Sequence, residues 1–559
     1  MRNRKISLEM ILPILHVLLS FLYERALFHF TLDRDVVAAV PLQQGFGDTA
    51  ERVMGYVLTK AFAILFICLF WKLIFYVKKH LKTDRDLKIF AGIFLVGALV
   101  LGLLWPNIFT YSEDNLITYS YAIRFFPEYW HSAYSSVIYG ACMMVLPHPF
   151  AICLLQWLFS LFTLGYLFTR IKESPVLQGK GKWLVFTLLL VPDSFYLLTN
   201  AYRTEQYALA CLFFASLAVM DLIDGKVRST KEILGIALLC GFLGVWRTEG
   251  VVLGVLGFAC LLLFGYKQGI QKTVLYLLTV IVAFLVISVP QKLGDGKYYG
   301  KDYSFINSFP TLQNVLNADS ANLSYEGAAE DLQALEQVTP LPVIQCFGMD
   351  GYRRVNVQRG YIDINQSGVS KEVGAAYMKA YYRIILHNLP IYAKTQIFMV
   401  CQAGKLVEYP YVEKSKVWVD DVPQWTYDAW NIGREDLDSV PGVKAWRKLG
   451  LRNTVADVIL AARNKVAQLL KKTYLQTATL GLAVLLAVCI FFREFYFLCR
   501  KKKSVPGPAA LIFVLLGQAA AIALVMPAGV LAYFHAVVYC IWAVDLTYIL
   551  CTFATKKQK

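Results

Sequence analysis

The sequence predicts a mainly α-helical membrane protein, a bundle of about twelve spans with an extracytoplasmic mixed α/β domain. Hydrophobic residues make up 57% of the chain and charged residues only 17%, and the mean hydropathy is +0.50. A soluble protein of this length would rarely carry so much apolar surface. Apolar runs of roughly 18 or more residues recur, each long enough to cross a hydrocarbon core about 30 Å thick. These two observations favour a multi-pass protein of the cell membrane.

The apolar runs define the candidate spans. In chain order they are 6–30, 56–77, 89–110, 146–169, 183–199, 207–224, 232–246, 250–266, 273–290, 473–492, 508–526 and 530–552. The first run follows Met1-Arg2-Asn3-Arg4-Lys5 and resembles a signal peptide, but it is longer than a typical one and shows no small-residue cleavage site. We expect it to be retained as the first span.

Basic residues in the short loops predict the orientation of the spans. Alternating the spans puts every basic cluster and both termini in the cytoplasm. The clusters are Lys78, Lys79, Lys82 and Arg85; Arg170, Lys172, Lys180 and Lys182; Lys226, Arg228 and Lys231; Arg500 to Lys503; and Lys556, Lys557 and Lys559. The net charge of +16 follows from these flanks, which also attract anionic membrane lipids. It gives no reason to invoke nucleic acid.

The chain divides into three parts. Residues 1–290 are predicted to form an N-terminal transmembrane bundle, 291–472 an extracytoplasmic soluble domain, and 473–559 a C-terminal transmembrane bundle. The outer segment is large enough for a core of its own. Its Cys346 and Cys401 could form a disulfide in an oxidising compartment. No CxxC or His/Cys spacing typical of a metal site occurs.

Two adjacent carboxylates lie just beyond the third span, in Ser112-Glu113-Asp114-Asn115. A carboxylate at the membrane edge is costly to desolvate, so it normally has a partner, a metal or a reaction to serve. The surrounding segment 111–147 is too polar to span and rich in aromatic residues, which suits amphipathic helices lying in the interface. A structural alternative is that the acidic pair simply caps such a helix.

Further polar residues occur at the outer ends of other spans. In the predicted topology they open toward one face and could share one cavity. They are Arg124 and His131, Asp193, Arg203 and Glu205, Arg247 and Glu249, and Tyr533 and His535. The structural alternatives are ion pairs that anchor span ends, and histidines whose roles are structural.

Such a cavity would suit a lipid-phosphate-linked sugar. A carboxylate can deprotonate an acceptor hydroxyl or hold a divalent cation. Arginines bind phosphate through planar, bidentate hydrogen bonds, and apolar walls would accommodate a lipid tail. The simplest interpretation is transfer of the sugar to an acceptor glycan, lipid or protein on the extracytoplasmic side.

Several short motifs resemble those of the GT-C glycosyltransferases, especially bacterial relatives of protein O-mannosyltransferases and lipid A aminoarabinose transferases. Glu113-Asp114 matches the acidic pair of the first outer loop, and residues 118–122 match the start of the helix that follows it. Residues 130–134 resemble a His-Pro-Pro-like segment but lack its prolines. Residues 200–208 resemble a segment with an acid before a span, here Glu205, and Arg247 matches an arginine at the start of a later span. The segment 532–535 resembles a late Arg-Tyr-x-x-Pro motif but lacks both Arg and Pro.

This resemblance implies an inverting hexosyl or pentosyl transfer from a polyprenyl-phosphate donor. It implies catalysis by Asp114, aided by Glu113. We expect Arg203 and Arg247 to hold the donor phosphate and Glu205 to orient these two arginines. Arg124, His131, Tyr533 and His535 are further candidate substrate contacts. Some relatives use a divalent metal, for which Asp114 would be the ligand.

Two other function classes fit a helix bundle with charges at the membrane edge. One is a membrane transporter, which would be expected to show inverted repeats or Gly/Pro-broken spans at the midplane. The other is a non-catalytic assembly or lipid-handling protein of surface-glycan biosynthesis, with the outer domain as its partner surface.

Overall fold

The computed structural model describes residues 8–27, 49–105, 113–129, 132–190, 203–247, 250, 269–294, 302–345, 370–404, 406–407, 449–472, 475–500, 506–526 and 533–556. Within these ranges the chain is mainly α-helical. Seven of the described helices are long and apolar enough to cross a membrane: Ala50–His80, Arg85–Leu104, Phe150–Glu173, Arg203–Asp224, Gly269–Gly294, Leu480–Phe497 and His535–Ala554. The mainly helical, multi-pass class is therefore confirmed.

The described helices are numbered here in chain order. The N-terminal part contains α1 (Leu8–Leu27), α2 (Thr49–His80), α3 (Arg85–Leu104), α4 (Glu113–Ala122), α5 (Ala133–Val145), α6 (Phe150–Glu173), a 3-10 helix (Lys182–Leu190), α7 (Arg203–Asp224), α8 (Thr230–Trp246), α9 (Gly269–Ile287) and α10 (Val289–Gly294). The outer segment contains α11 (Asp302–Asn317), α12 (Ala328–Glu336), α13 (Leu341–Gln345), α14 (Lys371–His387), α15 (Leu389–Ala403) and α16 (Gly450–Lys472). The chain closes with α17 (Leu475–Cys499), α18 (Pro506–Val525) and α19 (His535–Lys556).

The predicted spans differ from these helices in places. Helices α1 and α18 overlap the spans predicted at 6–30 and 508–526, and each is 20 residues long. The span predicted at 183–199 begins as a 3-10 helix, and most of the one predicted at 250–266 lies outside the described residues.

Side-chain caps fix the starts of two helices. The Asp84 carboxylate accepts hydrogen bonds from the backbone N–H groups of Asp86 and Leu87, at 2.9 and 3.1 Å, and so begins α3. Ser229 and Glu232 form a reciprocal capping box that begins α8. Both caps satisfy amide groups that a helix start leaves without partners.

Ion pairs join the loops at one end of the bundle, here called the basic end. Asp86 at the start of α3 lies 2.6 Å from Lys172 and 3.1 Å from Lys182. Asp221 on α7 lies 3.0 Å from Arg170 and 2.6 Å from Arg228. The loops after α2, α6 and α7 therefore meet at one end, which agrees with the prediction that their basic clusters share one side of the membrane.

Helix α5 differs from the expectation that segment 111–147 lies in the membrane interface. All of its residues are buried, and it packs on α2, α4 and α6. Two of its polar side chains find partners inside the protein: the Tyr134 hydroxyl donates to the Ile287 carbonyl at 2.8 Å, and the Ser136 hydroxyl to the Phe126 carbonyl at 2.8 Å. These hydrogen bonds explain how a sequence with so many hydroxyl groups can lie in the interior.

The outer segment has a hydrophobic core separate from that of the bundle. Its buried residues include Phe309, Leu335, Tyr377 and Ile384, which join α11, α12 and α14. The described residues between 302 and 472 are helical and include no strand, so the mixed α/β composition expected there is not found in that part of the chain. The Tyr392 hydroxyl donates to the Leu524 carbonyl at 2.8 Å and so connects α15 to the end of α18.

Candidate functional site

The candidate residues lie at the end of the bundle opposite the basic end, where α7 and α19 begin and α8 and α9 end. We call this the site end. The helix directions follow from the basic end: α7 terminates there beside Asp221, α8 starts there at its capping box, and Lys272 near the start of α9 donates to the Arg228 carbonyl at 2.8 Å. Each of these helices must then have its other terminus at the site end.

Glu205 and His535 meet at the starts of α7 and α19. Glu205 Oε2 lies 3.0 Å from His535 Nδ1, and the two residues are 0% and 1% exposed. The distance is that of an ion pair, but the two atoms are not aligned as a hydrogen bond. The ring of Tyr539 packs edge-on against His535, with centroids 4.5 Å apart. Removing either partner would leave the other polar group buried without this contact, which is strongly destabilising.

Arg247 ends α8 and points its guanidinium toward the same helix starts. Its Nη1 donates to the Thr204 hydroxyl at 3.2 Å. The guanidinium carbon lies 5.6 Å from the ring centroid of Tyr207 and 5.9 Å from that of Tyr533, both within cation–π range. Arg247 therefore joins α7, α8 and the start of α19.

A tight turn holds Arg247 in this position. The backbone N–H of Gly250 donates to the Arg247 carbonyl at 2.9 Å. A Cβ atom on Gly250 would lie 2.2 Å from the Leu243 carbonyl oxygen and 2.9 Å from the Tyr207 hydroxyl. Only glycine therefore fits at this position without a shift in the backbone.

Helix α4 begins with the predicted catalytic pair, Glu113 and Asp114, whose side chains lie outside the described part of the chain. Two buried hydrogen bonds anchor the helix next to them. The Tyr139 hydroxyl donates to Asn115 Oδ1 at 3.2 Å, and the Thr118 hydroxyl donates to Glu128 Oε2 at 2.6 Å. The start of α4 is thus fixed to α5 and to the turn between them.

Arg203 connects this region with the first turn of α7. Its charge and that of Glu128 both lie within electrostatic range of the Tyr139 phenol. Tyr139 in turn binds Asn115, the residue that follows Asp114. The structure therefore brings the start of α4 and the start of α7 to one region, although they are separated by some 90 residues in sequence.

Arg124 is a further predicted substrate contact whose position is described. Arg124 lies in the turn after α4, within electrostatic range of Tyr121 and of Arg52 on α2. Burial lowers the pKa of Arg124 to about 10; the charge of Arg52 lowers it too, whereas Tyr121 acts in the opposite direction. His131 lies outside the described residues, as do Asp193 and Glu249.

Several buried polar atoms at the site end have no hydrogen-bond partner among the described residues. They are Glu205 Oε1, Gln206 Oε1, His535 Nε2 and Ser135 Oγ. Buried polar groups in proteins nearly always have a partner. Each of these atoms would therefore gain stability from a polar partner.

The described residues contain no group of three or more His, Cys, Asp or Glu side chains placed to hold a metal ion. The carboxylate of Asp114, the predicted ligand, is not among the side chains described. Cys401 is a half-buried thiol on α15, and its predicted disulfide partner Cys346 also lies outside the described residues. The disulfide stays a prediction.

Glu128 and Thr204 belong to this region but were not predicted from the sequence pattern. Glu128 is 0% exposed and its backbone N–H donates to the Ser136 hydroxyl at 3.1 Å. Its signal in the sequence is a carboxylate directly after Phe126-Pro127, in a run of aromatic residues. Because segment 111–147 was expected to lie in the interface, Glu128 was expected to face water and not to be buried.

No protein-family model, curated protein or solved structure matches this chain. The resemblance to GT-C glycosyltransferases therefore stays a prediction from short motifs.

Proposed function

We propose that the protein is an integral membrane glycosyltransferase that moves a sugar from a polyprenyl-phosphate donor to an extracytoplasmic acceptor. In this proposal the basic end and both termini lie in the cytoplasm, and the site end and the outer segment lie outside. The observation that carries the proposal is the convergence of acidic, basic and aromatic residues from α4, α7, α8 and α19 at the site end. Fold alone would not support it, because helix bundles serve many functions.

The arginines are assigned to the donor phosphate. Arg247 is held by Thr204 and lies against the rings of Tyr207 and Tyr533, so its guanidinium is ordered before a ligand arrives. A pre-ordered planar guanidinium loses less entropy when it binds phosphate. Arg203, one residue before Thr204, would supply the second positive charge.

Glu205 receives a different proposed role from the one in the sequence hypothesis. It was expected to orient the arginines, but its contact is with His535. We assign the Glu205–His535 pair to holding the starts of α7 and α19 together, which sets the distance between Arg203 and Tyr533. His535 then acts through position rather than by touching the sugar.

The proposed chemical step uses Asp114 as the base. An acceptor hydroxyl attacks the anomeric carbon of the donor while its proton passes to the Asp114 carboxylate, aided by Glu113. The bond between the anomeric carbon and the phosphate oxygen breaks, and polyprenyl phosphate departs as the leaving group. Arg203 and Arg247 stabilise the negative charge of its phosphate. A single displacement of this kind inverts the anomeric configuration. If Asp114 held a divalent metal, its role would be that of a ligand and not of the base, and the metal would stabilise charge on the leaving phosphate.

The test of this function is the lipid that the protein binds. Purified protein should retain polyprenyl phosphate or its sugar conjugates, detected by mass spectrometry of copurified lipids. It should also release polyprenyl phosphate from some member of a panel of polyprenyl-phosphate-linked hexoses and pentoses. Uptake of sugars or ions into proteoliposomes without turnover of any conjugate would favour the transporter. Retention of the lipid without turnover or uptake would favour the lipid-handling alternative.

A further inference from the structure

A buried acid without a charged partner lies deep in the bundle, away from the site end. Asp545 is 0% exposed, and neither of its carboxyl oxygens has a hydrogen-bond partner among the described residues. It lies ten residues after His535 on α19, and ten residues of helix rise about 15 Å. That is about half the thickness of a hydrocarbon core, so Asp545 is near the middle of the membrane.

The register of α7 and α19 identifies what lies level with Asp545. Glu205 contacts His535, and Cys211 lies within electrostatic range of Cys540. The sequence offsets, 535 − 205 and 540 − 211, are nearly equal, so the two helices run parallel and in register. The same offset puts Ser216 level with Asp545, and the Ser216 hydroxyl is likewise buried without a hydrogen-bond partner among the described residues.

In the described part of the chain, the helices packed on α19 bring no counter-ion to this depth. The charged groups of these helices lie toward the two ends of the bundle and are engaged there. On α7, Asp221 pairs with Arg170 and Arg228, and Glu205 with His535. Glu494 of α17 contacts Arg493 and Tyr548, Lys182 of the 3-10 helix pairs with Asp86, and α18 carries no charged residue. The titratable thiol of Cys211 lies on α7, five residues nearer the site end than Ser216.

We propose that Asp545 is a proton-binding site in the interior of the bundle and holds a carboxylic acid, not a carboxylate, at neutral pH. An isolated carboxylate in an apolar interior is so costly that such a group neutralises instead. Glu494 is the counterexample within the same chain, because Tyr548 donates a hydrogen bond to its carboxylate and Arg493 lies 3.3 Å away. The proposal stands whether or not the protein transfers a sugar.

Infrared difference spectroscopy tests it directly. The spectrum of wild type minus Asp545→Asn, in lipid nanodiscs at neutral pH, should contain a carboxylic acid C=O band that shifts to lower frequency in D2O. Wild type minus Glu494→Gln should lack that band and contain carboxylate bands instead. A carboxylate signal for Asp545, with no acid band, would overturn the proposal. If Asp545→Asn fails to fold, Asp545→Glu should move the acid band rather than remove it.

A chemical probe gives a second measurement. A carbodiimide reacts with the protonated form of a carboxyl group, which adds across one C=N bond of the reagent. Dicyclohexylcarbodiimide, which partitions into the membrane, should therefore modify Asp545 in preference to Glu494, as read by peptide mass spectrometry. Protection of Asp545 by Na⁺ at constant pH would indicate a carboxylate that binds a metal cation, and would overturn the proposal.

Discussion

At the scale of single residues, Arg247 shows how ordinary packing can prepare a side chain for an anion. Its guanidinium is held by one hydroxyl at 3.2 Å and two aromatic rings. These contacts fix the flat group in one plane. Lysine would keep the charge but lose the planar donors and the stacking.

Arg247→Lys should therefore weaken binding of polyprenyl phosphate by roughly 10- to 100-fold, the range expected when a hydrogen bond to a charged group is lost. Native mass spectrometry with added polyprenyl phosphate measures the change. Arg500→Lys, an exposed arginine beyond α17, is the matched control and should bind like the wild type. Equal affinity in all three proteins would remove Arg247 from the donor site.

The Glu205–His535 contact makes a separate prediction about stability. Because the two groups are buried and 3.0 Å apart, the single variants Glu205→Gln and His535→Gln should each lower the melting temperature of the purified protein. The double variant should lose less than the sum, with a coupling free energy of about 1 kcal/mol or more. Additive losses would show that the two side chains do not stabilise one another.

At the scale of elements, the orientation of α4 decides where the proposed base lies. Its anchor is the 2.6 Å hydrogen bond from Thr118 to Glu128, together with the contact between Asn115 and Tyr139. Thr118 lies one turn of helix beyond Asp114. A loss of this anchor would move the carboxylates without changing them.

Thr118→Val tests that link, because it keeps the shape of the side chain and removes the hydroxyl. It leaves Glu128 buried with one hydrogen bond fewer, and should cost about 1–3 kcal/mol of unfolding free energy. Sugar transfer should fall as well, since α4 is no longer held. Thr454→Val, an exposed threonine on α16, is the control and should change stability by less than about 0.5 kcal/mol. Transfer at the wild-type rate in Thr118→Val would show that this anchor does not position the base.

At the scale of the whole molecule, the ion pairs of the basic end and the polar cluster of the site end lie at opposite ends of the same helices. The proposed topology puts the first in the cytoplasm and the second outside. A membrane-impermeant maleimide on intact cells should then label Ser324→Cys in the outer segment and leave Lys180→Cys unlabelled, in a background where Cys346 and Cys401 of the outer segment and the exposed Cys489 and Cys499 are serines. Both positions are exposed, so accessibility from solvent does not distinguish them. The reverse labelling pattern would invert the topology.

The sequence predicted the features that depend on long patterns. Apolar runs gave the multi-pass class, and the Lys and Arg clusters correctly indicated which loops meet. The buried position of α5 could not be predicted from the sequence. The hydroxyl groups of Tyr134, Ser136 and Tyr139 suggest contact with water, and only the structure shows the hydrogen-bond partners that allow their burial. The same holds for the Glu205–His535 pair, whose members come from opposite ends of the chain. Arg203 and Arg247 were predicted from their places at span ends, and the contacts that hold Arg247 in place were visible only in three dimensions.

The proposed catalysis is tested most directly by the Asp114→Asn variant. The protein should be purified in parallel with Asp457→Asn, an exposed carboxylate on α16, and release of polyprenyl phosphate from sugar conjugates followed for both. We predict a loss of at least about 100-fold in Asp114→Asn, the lower range for removal of a general base. Lipid binding and melting temperature should be unchanged, and Asp457→Asn should turn over like the wild type. Wild-type turnover by Asp114→Asn would contradict the proposed catalytic role.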